Sequence, residues 1–421
     1  MRLHIQNGRL IDATNNFDGI GDIYIENEKI VGVYHAPANF HAEHVIDATG
    51  QIVCAGFVDL SVRLRDVSKE ARVAASAGMT SFCVQPDISP IIDTPEVVKH
   101  LKELAELSNY SKCHFIGALT QKLEGNELSS MLSLKQAGCI AMSNGNFPVK
   151  NLLILRRAME YAASHDLLFI YRPNEFSLSN GGCAHEGAMA TRYGLPSIPE
   201  AAETIALEQC LELAELTGCR VHFGQLSSRR AVIKLQQAKK YGLMVSADVA
   251  MHQLHLTEND VTPFDSNYHV LPPFRGTEDR DYLRAGLLNG TLDAICSDHQ
   301  PHRLDAKLAA FPETKAGIST LETFLPLLLK LVNQEVIDLS SGLAALSTKP
   351  AQILGLKTGS LTVGLPADIC IFDPNLAWQV NSQTWHSEGI NTPFWGKTLK
   401  GRVTHTIQAG KVIFNLAESL V

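Results

Sequence analysis

Across residues 57–297 the chain alternates eight short apolar runs with longer stretches of helical periodicity, and this alternation restricts its fold most. The runs are residues 57–64, 80–84, 114–117, 140–142, 167–171, 220–225, 244–249 and 292–297, each of strand length. Amphipathic stretches at 95–107, 149–164, 200–217 and 231–241 lie between them. The first opens with Thr94-Pro95-Glu96, a capping hydroxyl followed by proline at the first helical position. Strand and helix in eightfold alternation predict an α/β fold, a (β/α)8 barrel with its chemistry at the strand C-terminal ends. A doubly wound open sheet is the alternative.

Both ends have a different texture. Residues 3–5, 22–25, 30–34 and 44–47 read as short strands, with turns at Asn27-Glu28 and Thr49-Gly50. The last 60 residues repeat this at 368–372, 403–408 and 411–414, with Ala409-Gly410 as a hairpin turn. The expected division is a barrel over 56–356 and one small β-domain built from 1–55 and 357–421. A chain of 421 residues has room for both. Its net charge of −8, without a dense Lys/Arg stripe, argues against nucleic acid. No apolar run reaches the ~18 residues of a membrane span, and the start shows no signal-peptide core. Nine cysteines, none in a Cys-x-x-Cys pair, suit reduced thiols, so a cytoplasmic location is expected.

In the first run, Asp59, Ser61 and Arg63 alternate, so the side chains of 61 and 63 are expected to point together into the barrel mouth. This segment resembles the signature Pro-Gly-x-x-Asp-x-His-x-His of dihydroorotases and related amidohydrolases, in which two histidines grip zinc. Ser61 and Arg63 stand at those histidines, and Ala55 at the proline. Residues 181–215, Pro272-Pro273-Phe274-Arg275, Ser297-Asp298-His299-Gln300-Pro301-His302, Gly317-Ile318-Ser319 and Asn391-Thr392-Pro393-Phe394 extend the resemblance to class I dihydroorotases over nearly the whole chain.

The resemblance implies a metal site whose remaining positions are altered as well. Asn144 and Gly145 stand where the family has a carbamylated lysine or an acidic pair. Arg172 stands at a zinc-binding histidine, and Gln225 at another. Only Asp298 matches, where the family acid binds metal and acts as general base. Arginine has five N–H donors and no accepting lone pair, so it cannot replace an imidazole on a divalent ion. Zinc is therefore expected to be absent. In the substrate pocket, Arg65 matches the arginine for the dihydroorotate carboxylate, and His302 a substrate-contacting histidine. Asp87 and Leu271 replace asparagines, and an acid at 87 would repel the substrate unless paired. Binding of an anion by Arg65 and His302 and mere inheritance of these residues remain equally open.

Two further groups have alternative readings. His222, His252, His299 and His302 lie near strand ends; hydrogen-bonded neutral imidazoles are expected there rather than a relocated metal site. Asp59 and Asp298 are expected as carboxylates neutralised by Arg63 and Arg172 rather than as an acid/base pair. The resemblance implies a non-catalytic dihydroorotase-like protein of pyrimidine biosynthesis, a homodimer and assembly partner of aspartate transcarbamoylase. The alternatives are a hydrolase with altered or no metal, using Asp298 as base and Arg63 or Arg172 for the oxyanion, and a ligand sensor.

Overall fold

The computed structural model describes residues 2–261 and 265–419. Eight parallel strands run in sequence order around the barrel: Phe57–Val62, Met79–Val84, Lys112–Ala118, Cys139–Ser143, Phe169–Tyr171, Val221–Phe223, Val245–Ala250 and Ala294–Cys296. A parallel bridge between Val62 and His299 joins the two ends, with Arg63 N donating to His299 O at 2.9 Å and His299 N to Ser61 O at 3.2 Å. The (β/α)8 barrel is thus the fold, and the open-sheet alternative falls.

Side-chain alternation explains its layers. Phe57, Phe82, Phe115, Phe169 and Phe223 point outward under the helices, and each is fully buried. Burial of each such ring stabilises by about 1.5–3 kcal/mol. Val58, Leu60, Cys83, Ile116, Ala141 and Ile170 form a separate buried cluster, and Ala351 and Leu354 of the helix Thr348–Leu354 join them. The helix Pro95–Ser108 begins where the sequence places it, but Thr94 makes no side-chain cap bond. The helix Phe324–Asn333 buries its apolar side chains beneath the strand Thr398–Gln408, and Phe324 meets Phe57 edge-on.

The terminal segments form one second sheet. Its strands follow the order Lys411–Asn415, Thr398–Gln408, Ile369–Gln379, Ile52–Ala55, Arg2–Asp12, Phe17–Glu26 and Lys29–Val33, with His44–Asp47 beside Arg2–Asp12. The antiparallel pairing of Ile52–Ala55 with Ile369–Gln379, Cys54 opposite Cys370, sews the two ends together. Leu3, Ile5, Ile23, Ile25, Val53, Ile369 and Ile407 make its core. Among the described residues, no helix is long and apolar enough to cross a membrane.

Candidate functional site at the barrel mouth

Arg63 follows directly on the first barrel strand, and its guanidinium organises the mouth. Nε donates to Asp87 Oδ1 at 3.0 Å, and Nη2 to Asp87 Oδ2 at 3.0 Å and Asn146 Oδ1 at 2.7 Å. Nη1 donates to Asp298 Oδ1 at 3.2 Å. Arg172 donates through Nη1 to the same Asn146 oxygen, and Gln300 Nε2 to Asp298 Oδ1 at 3.1 Å. Asp87 Oδ2 also accepts the Asn146 backbone N–H at 2.9 Å. The side chains of Arg63, Asp87 and Asp298 are 12%, 3% and 3% exposed, so these charges compensate one another away from bulk water.

The electrostatics follow from that packing. Burial, opposed by Arg63 and then Arg172, leaves the Asp298 carboxyl raised to about 6. Burial lowers Arg172 to about 10; nearby Arg63 adds to this while Asp298 opposes it. For Arg63, burial works downward but Asp87 and Asp298 together outweigh it and hold the guanidinium above its ordinary value. Asp298 and Gln225 both lie in the left-handed backbone region, φ 48° and 57°, which costs a non-glycine residue about 1–3 kcal/mol.

The other positions singled out in the sequence divide into two groups. Ser61 and Gln225 meet across the lumen, Gln225 Nε2 donating to Ser61 Oγ at 2.7 Å. Asn144 turns away: its Oδ1 accepts from Thr120 N and Oγ1, and its Nδ2 donates to Leu123 O and Phe147 O. Gly145, at φ 57°, has no room for a side chain, because a Cβ would lie 2.6 Å from Asp87 Cγ. Asn146, which bridges both arginines, matches no ligand position in the sequence comparison with the family signature. The only sequence signal for it was the need of two clustered guanidiniums for an extra acceptor.

Asp59 departs from the expected ion pair. Its Oδ1 accepts the backbone N–H groups of Ser297 (2.9 Å) and Ser61 (3.2 Å), and its Oδ2 has no partner among the described residues. Burial pushes this acid up to about 6, against the hydrogen bonds from Ser297 and Ser61. Its surroundings are Ser61, Ser297, Cys83 and Cys296, and the Arg63 guanidinium spends its N–H groups on Asp87, Asp298 and Asn146 instead.

Three of the four histidines are held by hydrogen-bond partners, as expected, and His252 is the exception. His299 Nδ1 accepts the Thr320 N–H at 3.0 Å, which leaves Nε2–H to donate to Glu70 Oε2 at 3.0 Å. His222 sits between Ser246 Oγ and Asp248 Oδ2, at 2.8 and 2.9 Å. His252 is buried, its Nδ1 has no partner among the described residues, and burial lowers it to about 3. His302 donates through Nε2 to Ala316 O at 2.8 Å, and burial again lowers its pKa.

Above the cluster opens a cavity of about 410 Å3. Arg65, His302, Arg303 and Lys315 line it beside Arg63 and Asp87, while Leu271, half-buried, is not among the lining residues. The pairing with Arg63 removes the repulsion that an unpaired Asp87 would exert on an anion. The rim suits an anionic ligand.

A divalent cation fits the cluster poorly. Among the described residues no three His, Cys, Asp or Glu side chains stand together as a metal-holding group. Asp298, the one inherited acid, spends an oxygen on Arg63 and Gln300.

Comparison with known proteins places this geometry. The description "Dihydro-orotase-like" matches residues 50–231, and "Amidohydrolase family" residues 180–413. The chain is 43% identical over 418 residues to a "Dihydroorotase-like protein" of Pseudomonas aeruginosa, covering 97% of this chain and 99% of that one. It is 37% identical over 423 residues to a "Dihydroorotase" of Syntrophus aciditrophicus, covering 98% and 99%. The fold is shared with the L-hydantoinase of Arthrobacter aurescens, TM-score 0.87 at 23% identity, over 98% of this chain and 96% of that one. These relatives overturn the expectation that zinc is absent. Proteins of this amidohydrolase family, dihydroorotases among them, typically bind zinc. The expectation rested on Ser61, Arg63, Asn144, Arg172 and Gln225, the substituted positions of a single inherited site.

Proposed function

Since the chain belongs to the dihydroorotase-like amidohydrolases, the family of cyclic-amide hydrolysis, we propose that it is a member that does not itself turn over dihydroorotate. In this reading it serves pyrimidine biosynthesis in the cytoplasm, as a homodimer that is a structural partner of aspartate transcarbamoylase. The single observation behind the non-catalytic role is the Arg63 guanidinium, bonded at once to Asp87, Asp298 and Asn146. It occupies the space beside the one family acid that would act as base, and Asp298 is committed to it. The partner rests on the family resemblance alone. Nine free cysteines, eight of them buried, are in keeping with a reducing compartment.

The test has two arms. Carbamoyl-aspartate cyclisation and dihydroorotate hydrolysis are assayed with and without added zinc, and the expected rate equals the uncatalysed one. Turnover that disappears in Asp298→Asn would overturn the non-catalytic role. Size-exclusion of the chain mixed with the aspartate transcarbamoylase of its source cell should yield a joint complex, and separate elution of the two sinks the partnership.

A second reading draws on one observation. Asp298, raised to about 6 and flanked by Arg63 and Arg172, has the pKa of a general base working near neutrality, beside cations suited to an oxyanion. It requires a rate that rises with pH around 6 and is lost in both Asp298→Asn and Arg172→Met.

A further inference from the structure

At the opposite end of the barrel, where its strands begin, lies a cavity of about 280 Å3 that the proposed function leaves unused. Its walls come from the starts of the second and third barrel strands, from the segment after the helix Thr348–Leu354, and from the turn before the strand Lys29–Val33. Each wall except that of the second strand contributes one exposed lysine: Lys112, Lys357 and Lys29. None of the three ammonium groups takes part in a salt bridge or side-chain hydrogen bond with the described residues. Of the two acids present, Asp368 is used within the protein. Its Oδ2 accepts from Thr358 Oγ1 at 2.9 Å and its Oδ1 from Ala409 N at 2.8 Å. With Glu28, itself exposed, two acids face three cations, which leaves one net positive charge. In a chain of net charge −8 this is a local reversal of sign.

The inner wall is polar and buried. His114 and Ser81 lie on neighbouring strands, with Nε2 and Oγ 3.3 Å apart. Burial, and Lys112 after it, lower His114 to about 4, so the ring is neutral at physiological pH. A second cavity of about 260 Å3 adjoins the first and shares Lys112 and Gln408 with it.

We infer that this cleft binds a phosphorylated small molecule, with its phosphate among Lys29, Lys112 and Lys357 and its uncharged part toward Ser81, His114 and the adjoining cavity. Three lysines lining one cavity from separate segments match a multiply charged oxyanion better than a single carboxylate, and lysine binds phosphate as a point charge. The volume is near the lower end of ligand pockets, roughly 300–1,000 Å3, and exceeds what a lone phosphate fills. The site does not depend on what the barrel mouth does.

Isothermal titration of the full-length chain with pyrophosphate, inorganic phosphate and sulfate tests it. Pyrophosphate is expected to bind saturably at the lysine cleft, more tightly than phosphate or sulfate and separately from the arginine-lined mouth. Lys112→Gln combined with Lys357→Gln, both at exposed positions, should weaken it at least about tenfold by removing two nearby charges. Arg65→Gln combined with Arg303→Gln, at the mouth cavity, should leave it unchanged. Lack of saturable pyrophosphate binding would overturn the inference. So would an affinity untouched by the lysine pair, or one lost only with the arginine pair.

Discussion

At the scale of single residues, the mouth is a set of charges that need one another. Arg63→Met would strand Asp87 and Asp298 in a nearly dry site, and loss of one partner of a buried pair costs about 3–5 kcal/mol. Urea denaturation should show that loss, and an unchanged midpoint would mean that the cluster is wetter than its burial indicates. Gly145→Ala should be harmful for a different reason. Its left-handed backbone alone costs about 1–2 kcal/mol for a residue with a Cβ, and the new atom would push Asp87 off Arg63. Arg63 and Asp298 were legible in the sequence because a buried guanidinium and a buried carboxylate each need an opposite charge. Asp59 and Asn146 were not: strand alternation says which face a side chain takes, but not which groups from other strands reach it.

Helices and turns can be compared pair by pair. Asn151 caps its helix, its side chain accepting from Leu153 N, whereas Thr94 makes no such bond. Asn151→Ala is therefore expected to cost about 1 kcal/mol, and Thr94→Ala well under half of that, with the difference read from thermal or urea unfolding. Equal losses would show that the Thr94 hydroxyl does cap in solution. The Ala409-Gly410 hairpin was readable from its residue types, and both residues take positive φ, 46° and 76°. The eight barrel strands were readable from their apolar runs, yet the last is only Ala294–Cys296. Beyond Ser297 the backbone breaks into the left-handed turn at Asp298, a local conformation that no period-two pattern announces.

For the whole molecule, pH acts through groups scattered over several elements. Burial lowers His252 and His255 to about 3, and His114 and His269 to about 4. A lowered histidine contributes stability above its unfolded pKa near 6.5 and loses it as pH falls below that value, at about 1.4 kcal/mol per unit for each. Asp59 and Asp298, raised to about 6, act in the opposite sense, since acidification from 6 toward 3.8 relieves their burial penalty. Four histidines outweigh two acids, so stability should fall between pH 7 and pH 5 by on the order of several kcal/mol. Chemical denaturation at the two pH values measures it; equal or greater stability at pH 5 would contradict the neutral histidines.

What the chain's order of residues determined alone was the architecture and its family. Eight apolar runs at helix-separated intervals can bury themselves in few ways, and strand-rich ends find their partners in each other. What only the tertiary structure decided was the bonding inside the mouth. There Arg63 chooses Asp87, Asp298 and Asn146 while Asn144 turns to Thr120, because donors and acceptors 24 to 235 residues apart along the chain are matched by proximity in the folded barrel. The lysine-lined cleft is of the same kind, since three ammonium groups from remote segments become one site only when the second sheet closes on the barrel.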